Sequence, residues 1–176
     1  MTSVEKFSNS FPEIKKIVFY EHLDDRGSFT KLYSKQIFEQ LGFIVNEVFY
    51  STSKKNVFRG FHMQADPYEI KKIVFCSEGK IEDFFIDLRK GSSNFGKFEK
   101  IILSKENNTG LYIPEGFGHG FRVLSDYATV GYLQEGYHNI DSETGVNPMS
   151  LDQDFGNIVI SVKDKNLPSL EQFANE

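Results

Sequence analysis

From Phe43 onward the chain is a succession of short apolar or alternating runs separated by turn residues, and this rhythm limits the fold more than any single motif does. The runs are Val48 to Ser51, Val57 to Met63, Ile70 to Cys76, Ile81 to Leu88, Phe98 to Leu103, Gly110 to Ile113, Gly120 to Leu124 and Thr129 to Glu135. Glu78-Gly79, Gly91-Ser92-Ser93-Asn94, Glu106-Asn107-Asn108 and Ser125-Asp126 punctuate them. Runs this short cannot make helices with a continuous apolar stripe. Evenly spaced strands with turn residues between them predict a sandwich or barrel.

The first forty residues fit the same scheme. Ile14 to Leu23 predicts a strand, Asp24-Asp25-Arg26-Gly27 a turn, and Phe29 to Tyr33 a second strand, together a hairpin. Ser34 is placed to cap a short outer helix with Ile37, Phe38 and Leu41 on one face and Gly42 as its stop. After Tyr137 the chain turns polar and irregular, with one more strand expected at Ile158 to Val162 and a short capped helix after Ser169. The 18 Phe and 8 Tyr suit pleated surfaces, and 176 residues form one domain, residues 1–176, that can bury a full core.

Charge and composition exclude several functions. A net charge of −5 gives no basic field for a phosphate backbone, so no nucleic-acid partner is expected. No segment has the roughly 18 apolar residues of a membrane span. The lone Cys76 lies in the apolar run Ile73-Val74-Phe75-Cys76, which predicts a buried, inert thiol in a cytoplasmic protein.

Chemistry concentrates in three places: Arg59-Gly60-Phe61-His62, Lys72, and Ile113-Pro114-Glu115-Gly116-Phe117-Gly118-His119-Gly120-Phe121. The last resembles the second half of the cupin signature, in which a tight turn delivers a His to the mouth of a jelly-roll barrel. The first half usually supplies two His and a Glu for a metal. Here only His62 and Glu69 occupy such places, with Gln64 where the second His would stand. A triad of His62, Glu69 and His119 is the metal-dependent reading. A barrel without metal or other cofactor is the expected one.

A closer resemblance runs from residue 24 to 170. It is carried by Asp25-Arg26-Gly27-Ser28-Phe29, Phe58-Arg59-Gly60-Phe61-His62-Met63-Gln64, Lys72, Gly79 and Asp83-Phe84-Phe85-Ile86-Asp87-Leu88-Arg89. Ser92 to Lys97, Pro114 to Phe121, Val123 to Asp126, Tyr132 and Ile160 to Asp164 continue it. These stretches resemble the dTDP-4-dehydrorhamnose 3,5-epimerase family of metal-free cupins. The resemblance implies an all-β fold, a cupin-type double-stranded β-helix (jelly-roll barrel) with short peripheral helices. It also implies epimerisation of a nucleotide-linked 4-keto sugar at carbons beside the ketone. His62 matches the family's base and Asp164 the carboxylate that orients it. Tyr132 matches the acid on the opposite face, and Lys72 the group near the developing enolate oxygen. Arg26, Arg59, His119, Glu143 and Lys163 are implied as contacts to the nucleotide diphosphate sugar. Homodimers whose N-terminal strands cross over are implied too, with Arg26 reaching the neighbour's site.

Each of these residues also has a purely structural reading. Strict alternation puts Arg59 and His62 on opposite faces of a strand, so a shared site requires a bulge or twist. Lys72 competes with Lys71, although face-sharing with Val74 and Cys76 favours an inward Lys72. Tyr132 shares its face with Ala128 and Val130, as a core tyrosine would. Asp83 and Asp87 read as network carboxylates, and His22 and His138 as surface or strand residues.

The sequence departs from the family pattern at Lys31 (usually Glu), Glu47 (usually Gln) and Phe49 (usually Asn), positions that the resemblance puts at the nucleotide end. It departs again at Val146-Asn147-Pro148-Met149, expected to alter a wall of the site. Unmade polar contacts discriminate strongly between ligands, so a changed sugar, nucleotide or number of inverted centres is expected. Ketoisomerisation of a similar nucleotide sugar and non-catalytic sugar binding are the competing functions.

Overall fold

The computed structural model of the chain describes residues 1–175. Its strands, numbered along the chain, form two main antiparallel sheets. The larger has the order β1 (Ser3–Lys6), β2 (Lys15–Val18), β10 (Thr109–Ile113), β7 (Lys71–Glu78), β12 (Tyr127–Glu135), β5 (Glu47–Lys54). The smaller has the order β13 (Glu143–Gly145), β6 (Phe58–Gln64), β11 (Phe117–Val123), β8 (Lys80–Asp87), β9 (Phe98–Ser104). Neighbours in space are mostly remote in sequence, the winding of a cupin-type double-stranded β-helix. A separate hairpin pairs β3 (Tyr20–Asp24) with β4 (Gly27–Lys31).

Strands that are apolar on both faces require cover on both. Three buried clusters supply it. Val74, Cys76, Leu111, Ile113, Ala128 and Val130 of the larger sheet meet Ile81, Phe85, Phe117, Phe121 and Val123 of the smaller one in the barrel interior. The outer face of the smaller sheet, with Phe58, Phe61, Phe84 and Ile86, is covered by Val146, Phe155 and Phe173 from the C-terminal third. Ile73, Phe75, Tyr112 and Leu133 on the outer face of the larger sheet pack under Phe38 and Phe43. Each such phenylalanine contributes about 2 kcal/mol by leaving water.

Several sequence expectations need correction. Ile14 to Leu23 is not one strand: at Phe19 the backbone turns to Asn108, whose carbonyl accepts from Phe19 N–H at 3.0 Å and whose amide donates to the Phe19 carbonyl at 3.1 Å. The segment thereby passes from the large sheet to the hairpin. Ser34 occupies the cap position of α1 (Lys35–Phe38), but its hydroxyl makes no cap bond; Gly42, at φ 60°, ends the turn that follows. Ile158 to Val162 makes only a single bridge, Val57 to Val159, before the chain coils into α2 (Val162–Lys165). Ser161 is the cause, because its hydroxyl accepts from Asp164 N–H at 3.0 Å and offers the backbone a helix start in place of a ladder. The helix after Ser169, α3 (Leu170–Asn175), is present with a reciprocal cap between Ser169 and Gln172.

Candidate active site

A cavity of about 240 Å³ opens between the sheets where the interior face turns polar. Its walls include Arg59, His62 and Gln64 of β6, Lys72 of β7, His119 of β11, Tyr132 and Gln134 of β12, and Phe49 and Ser51 of β5.

Arg59 and His62 share this cavity because β6 bulges. Against β11, His62 pairs with His119 but Arg59 with Phe121, so three steps on one strand match two on the other. Gly60 makes this possible at φ +116°, with its Cα hydrogens facing β11; a Cβ there would lie 2.4 Å from the His119 carbonyl oxygen. The extra residue restores Arg59 to the inner face, where its Nε donates to Ser53 Oγ at 2.8 Å.

His62 Nε2 lies 2.7 Å from Asp164 Oδ1, and Asp164 Oδ2 accepts from Gly60 N–H at 3.2 Å. Burial alone would raise the Asp164 carboxyl, but the hydrogen bond from His62, together with those from Gly60 and Ser161, holds it below the usual carboxylate range. An ionised carboxylate only accepts, so Nε2 carries the hydrogen and the Nδ1 lone pair is left free. The helix start at Ser161 therefore orients an imidazole a hundred residues away in sequence.

Lys72 points inward with Val74 and Cys76, whereas Lys71 pairs on the outside with Glu135 at 2.9 Å. Burial pushes the Lys72 amine down to about 8 against the pull of Asp83 and Glu143. Asp83 is fully buried, 2.8 Å from His119 Nε2, and its Oδ2 has no hydrogen-bond partner among the described residues. Burial raises the Asp83 carboxyl and lowers the His119 imidazole, so the pair leans toward its neutral form. The Tyr132 phenol is held above its ordinary value by burial and by Asp83.

At the mouth, Glu143 Oε2 takes Lys163 Nζ at 2.6 Å and His138 Nε2 at 3.3 Å. Burial works against the Glu143 charge, but these two partners keep the carboxyl below its usual range. Glu47 accepts from Gln134 Nε2 at 2.7 Å and from His138 N–H at 3.2 Å.

Some sequence-predicted residues lie elsewhere. Arg26 stands on the hairpin turn, paired with Asp24 and 90% exposed, outside this chain's cavity. Lys31 lies on the same hairpin, away from the cavity. Val146 packs into the outer core and Met149 is exposed, so Val146-Asn147-Pro148-Met149 does not line this cavity. Glu69 lines a different depression from His62 and His119, and no group of three potential metal ligands converges among the described residues. His138, read as a surface residue, lines the cavity, as do Ser51 and Gln134. Alternation from Phe49 through Ser51 to Ser53 was the available signal for β5. His138 follows irregular chain and had none.

A family model described as dTDP-4-dehydrorhamnose 3,5-epimerase matches residues 8–172. The dTDP-4-dehydrorhamnose 3,5-epimerase of Escherichia coli is 38% identical over 157 residues, 85% of either chain. The crystal structure of the enzyme of that name from Sulfolobus tokodaii superposes with a TM-score of 0.89 at 34% identity, covering 97% of this chain and 96% of the other. The dTDP-6-deoxy-D-glucose-3,5-epimerase of Legionella pneumophila, solved in complex with dTDP-4-keto-L-rhamnose, gives 0.89 at 30% identity over 97% and 94%. Fold and relatives together define a cupin-type carbohydrate epimerase, an isomerase. Within that class, the chain belongs to the dTDP-4-dehydrorhamnose 3,5-epimerase family.

Proposed function

We propose that the protein inverts one or both carbons flanking the ketone of a nucleotide-linked 4-keto-6-deoxy sugar, through an enolate. The observation that carries this reading is an imidazole on one sheet, His62 hydrogen-bonded to Asp164, facing a cavity whose other sheet presents the Tyr132 phenol. His62 Nδ1 takes the proton from carbon, and the C–H electrons move onto the ketone oxygen. The Lys72 ammonium, buried on the cavity wall, favours that oxyanion. Tyr132 then gives its proton to the opposite face of the carbon, leaving phenolate and imidazolium to be reset by solvent.

Arg59, His119, Glu143 and Lys163 are proposed to hold the diphosphate and sugar, with Glu47 shaping the rim through Gln134 and His138. Arg59 suits a diphosphate because its planar fork bonds two oxygens at once. The relatives' names favour dTDP as carrier. Of the departures from the family pattern, Phe49 lies in the cavity, which weighs toward a changed sugar step. We further propose a homodimer; the exposed outer residues Val48 and Tyr50 of β5, with Leu23 and Phe29 of the hairpin, support it. The reading places the enzyme in the cytoplasm, in keeping with the buried free thiol of Cys76.

Proton NMR of dTDP-4-keto-6-deoxyglucose and its CDP and GDP counterparts, incubated with the protein in deuterated water, tests the function. Loss of the C3 or C5 signal with the wild type but not with His62→Ala is expected, with new epimer signals. Exchange that yields a shifted ketone would make the enzyme a ketoisomerase. Exchange with none of the three would overturn the reading.

A further inference from the structure

Tyr132 packs against the barrel core, and beyond that core its ring meets two other rings. Ser51 Oγ on the neighbouring strand favours the phenolate from nearby, yet it is itself buried without a well-aligned hydrogen-bond partner. Phe49 is stacked on the Tyr132 ring with centroids 4.8 Å apart and planes 17° from parallel. The edge of His119 approaches from another side at 6.1 Å and 78°. Phe49 and Tyr132 sit directly opposite each other in the register of β5 and β12, so the backbone fixes the pair as well as the side chains. Phe49 is 45% exposed even so, although burying so large an apolar ring would favour folding. Its position on the cavity wall gives that exposure a use.

We infer that Phe49 is a positioning residue for Tyr132, fixing the phenol on one side of the cavity and thereby deciding how often an enolate is protonated there rather than by His62. The inference rests on the proton-transfer reading above. An enolate formed by His62 has two fates. Tyr132 can deliver its proton to the far face and invert the carbon. Alternatively the imidazolium, after exchanging with solvent, returns a deuteron to the original face and leaves the configuration unchanged. A ring free to swing would lose the first race without stopping the second. Phe49 therefore acts on the ratio of inversion to exchange, and a residue that only stabilises the sheet would not move that ratio.

The experiment compares wild type, Phe49→Leu, which keeps apolar bulk without a ring to stack, and Phe49→Tyr, which keeps the ring. Deuterium incorporation and epimer formation at C3 and C5 are followed in the same NMR tube. In parallel, the ring signals of Tyr132, assigned by their loss in Tyr132→Phe, report stacking through the ring current of Phe49 without any substrate. Phe49→Leu is expected to lower the ratio of inversion to exchange about tenfold at one carbon or both and to move the Tyr132 ring signals, with Phe49→Tyr restoring both. An unchanged ratio, or unmoved Tyr132 signals, in Phe49→Leu overturns the inference and leaves the epimerase reading standing. Absence of exchange in the wild type overturns that reading, and the inference with it.

Discussion

Burial pushes the Lys72 amine down to about 8, so the ammonium is present at neutral pH and gone well before an exposed lysine would lose it. If that charge steadies the enolate, the exchange rate falls as pH rises through about 8. Lys72→Met is expected to lower the rate by about 10²-fold or more and to remove this limb from the pH profile. Stability moves the other way. Between about 8 and the roughly 10.4 of an unfolded lysine, the unfolded chain binds more protons, so wild-type stability rises with pH across that window. Urea titrations at a series of pH values should show the rise in wild type and its loss in Lys72→Met.

Asp164 gives a second test at the same scale. Asp164→Asn keeps the shape but not the charge, and an amide can donate to Nε2 and turn the imidazole over. A fall of about 10²-fold or more in the exchange rate is expected, with KM moved far less. Of these residues the sequence showed the identities but not the contacts. His62 and Asp164 matched a family pattern, yet only the folded chain shows that Ser161 caps the turn that brings them within 2.7 Å. Asp83 read as a network carboxylate and is one, while its bond to His119 depends on two strands that are 36 residues apart in the chain.

Among the elements, β6 depends most on a single residue. Alternation alone separated Arg59 from His62 and required a bulge, and the register against β11 contains it. Gly60→Ala would drive a methyl group into the β11 backbone. A loss of about 2 to 4 kcal/mol by urea titration is expected, with reduced activity in whatever still folds. Most interior strands were legible because hydrophobic runs flanked by turn residues have few other folds. Two elements were less so. Ile158 to Val162 has the composition of a strand, but a hydroxyl at Ser161 outcompetes the ladder; and β13, a three-residue strand in polar chain, has too little pattern to announce itself. It nevertheless seats Glu143 and Gly145 beside β6.

The whole molecule carries apolar surface that its own chain does not cover. Val48 and Tyr50 are 68% and 74% exposed on the outer face of the edge strand β5, and Leu23 and Phe29 are 71% and 60% exposed on the hairpin. A dimer that covers them is expected to sediment at about twice the 20.2 kDa of the chain. Charged substitutions such as Tyr50→Glu with Val48→Lys should return it to the monomer mass. Nothing in composition separated these four from core residues, because strand pattern tells which face is apolar and not which body covers it.

The cavity is small, about 240 Å³, below the range of roughly 300 to 1,000 Å³ that encloses most small ligands. A nucleotide sugar therefore cannot disappear into the barrel. Under the proposed function, the ring being altered sits among His62, Lys72 and Tyr132, while the diphosphate and base stay at the rim as a handle. Reading and reacting would then be done in different places: the rim would select what is brought, and the interior would act on the part inserted. Evolution could then change the handle without touching the chemistry and, with Phe49 in the proposed role, alter the outcome of the chemistry with a single ring on the wall.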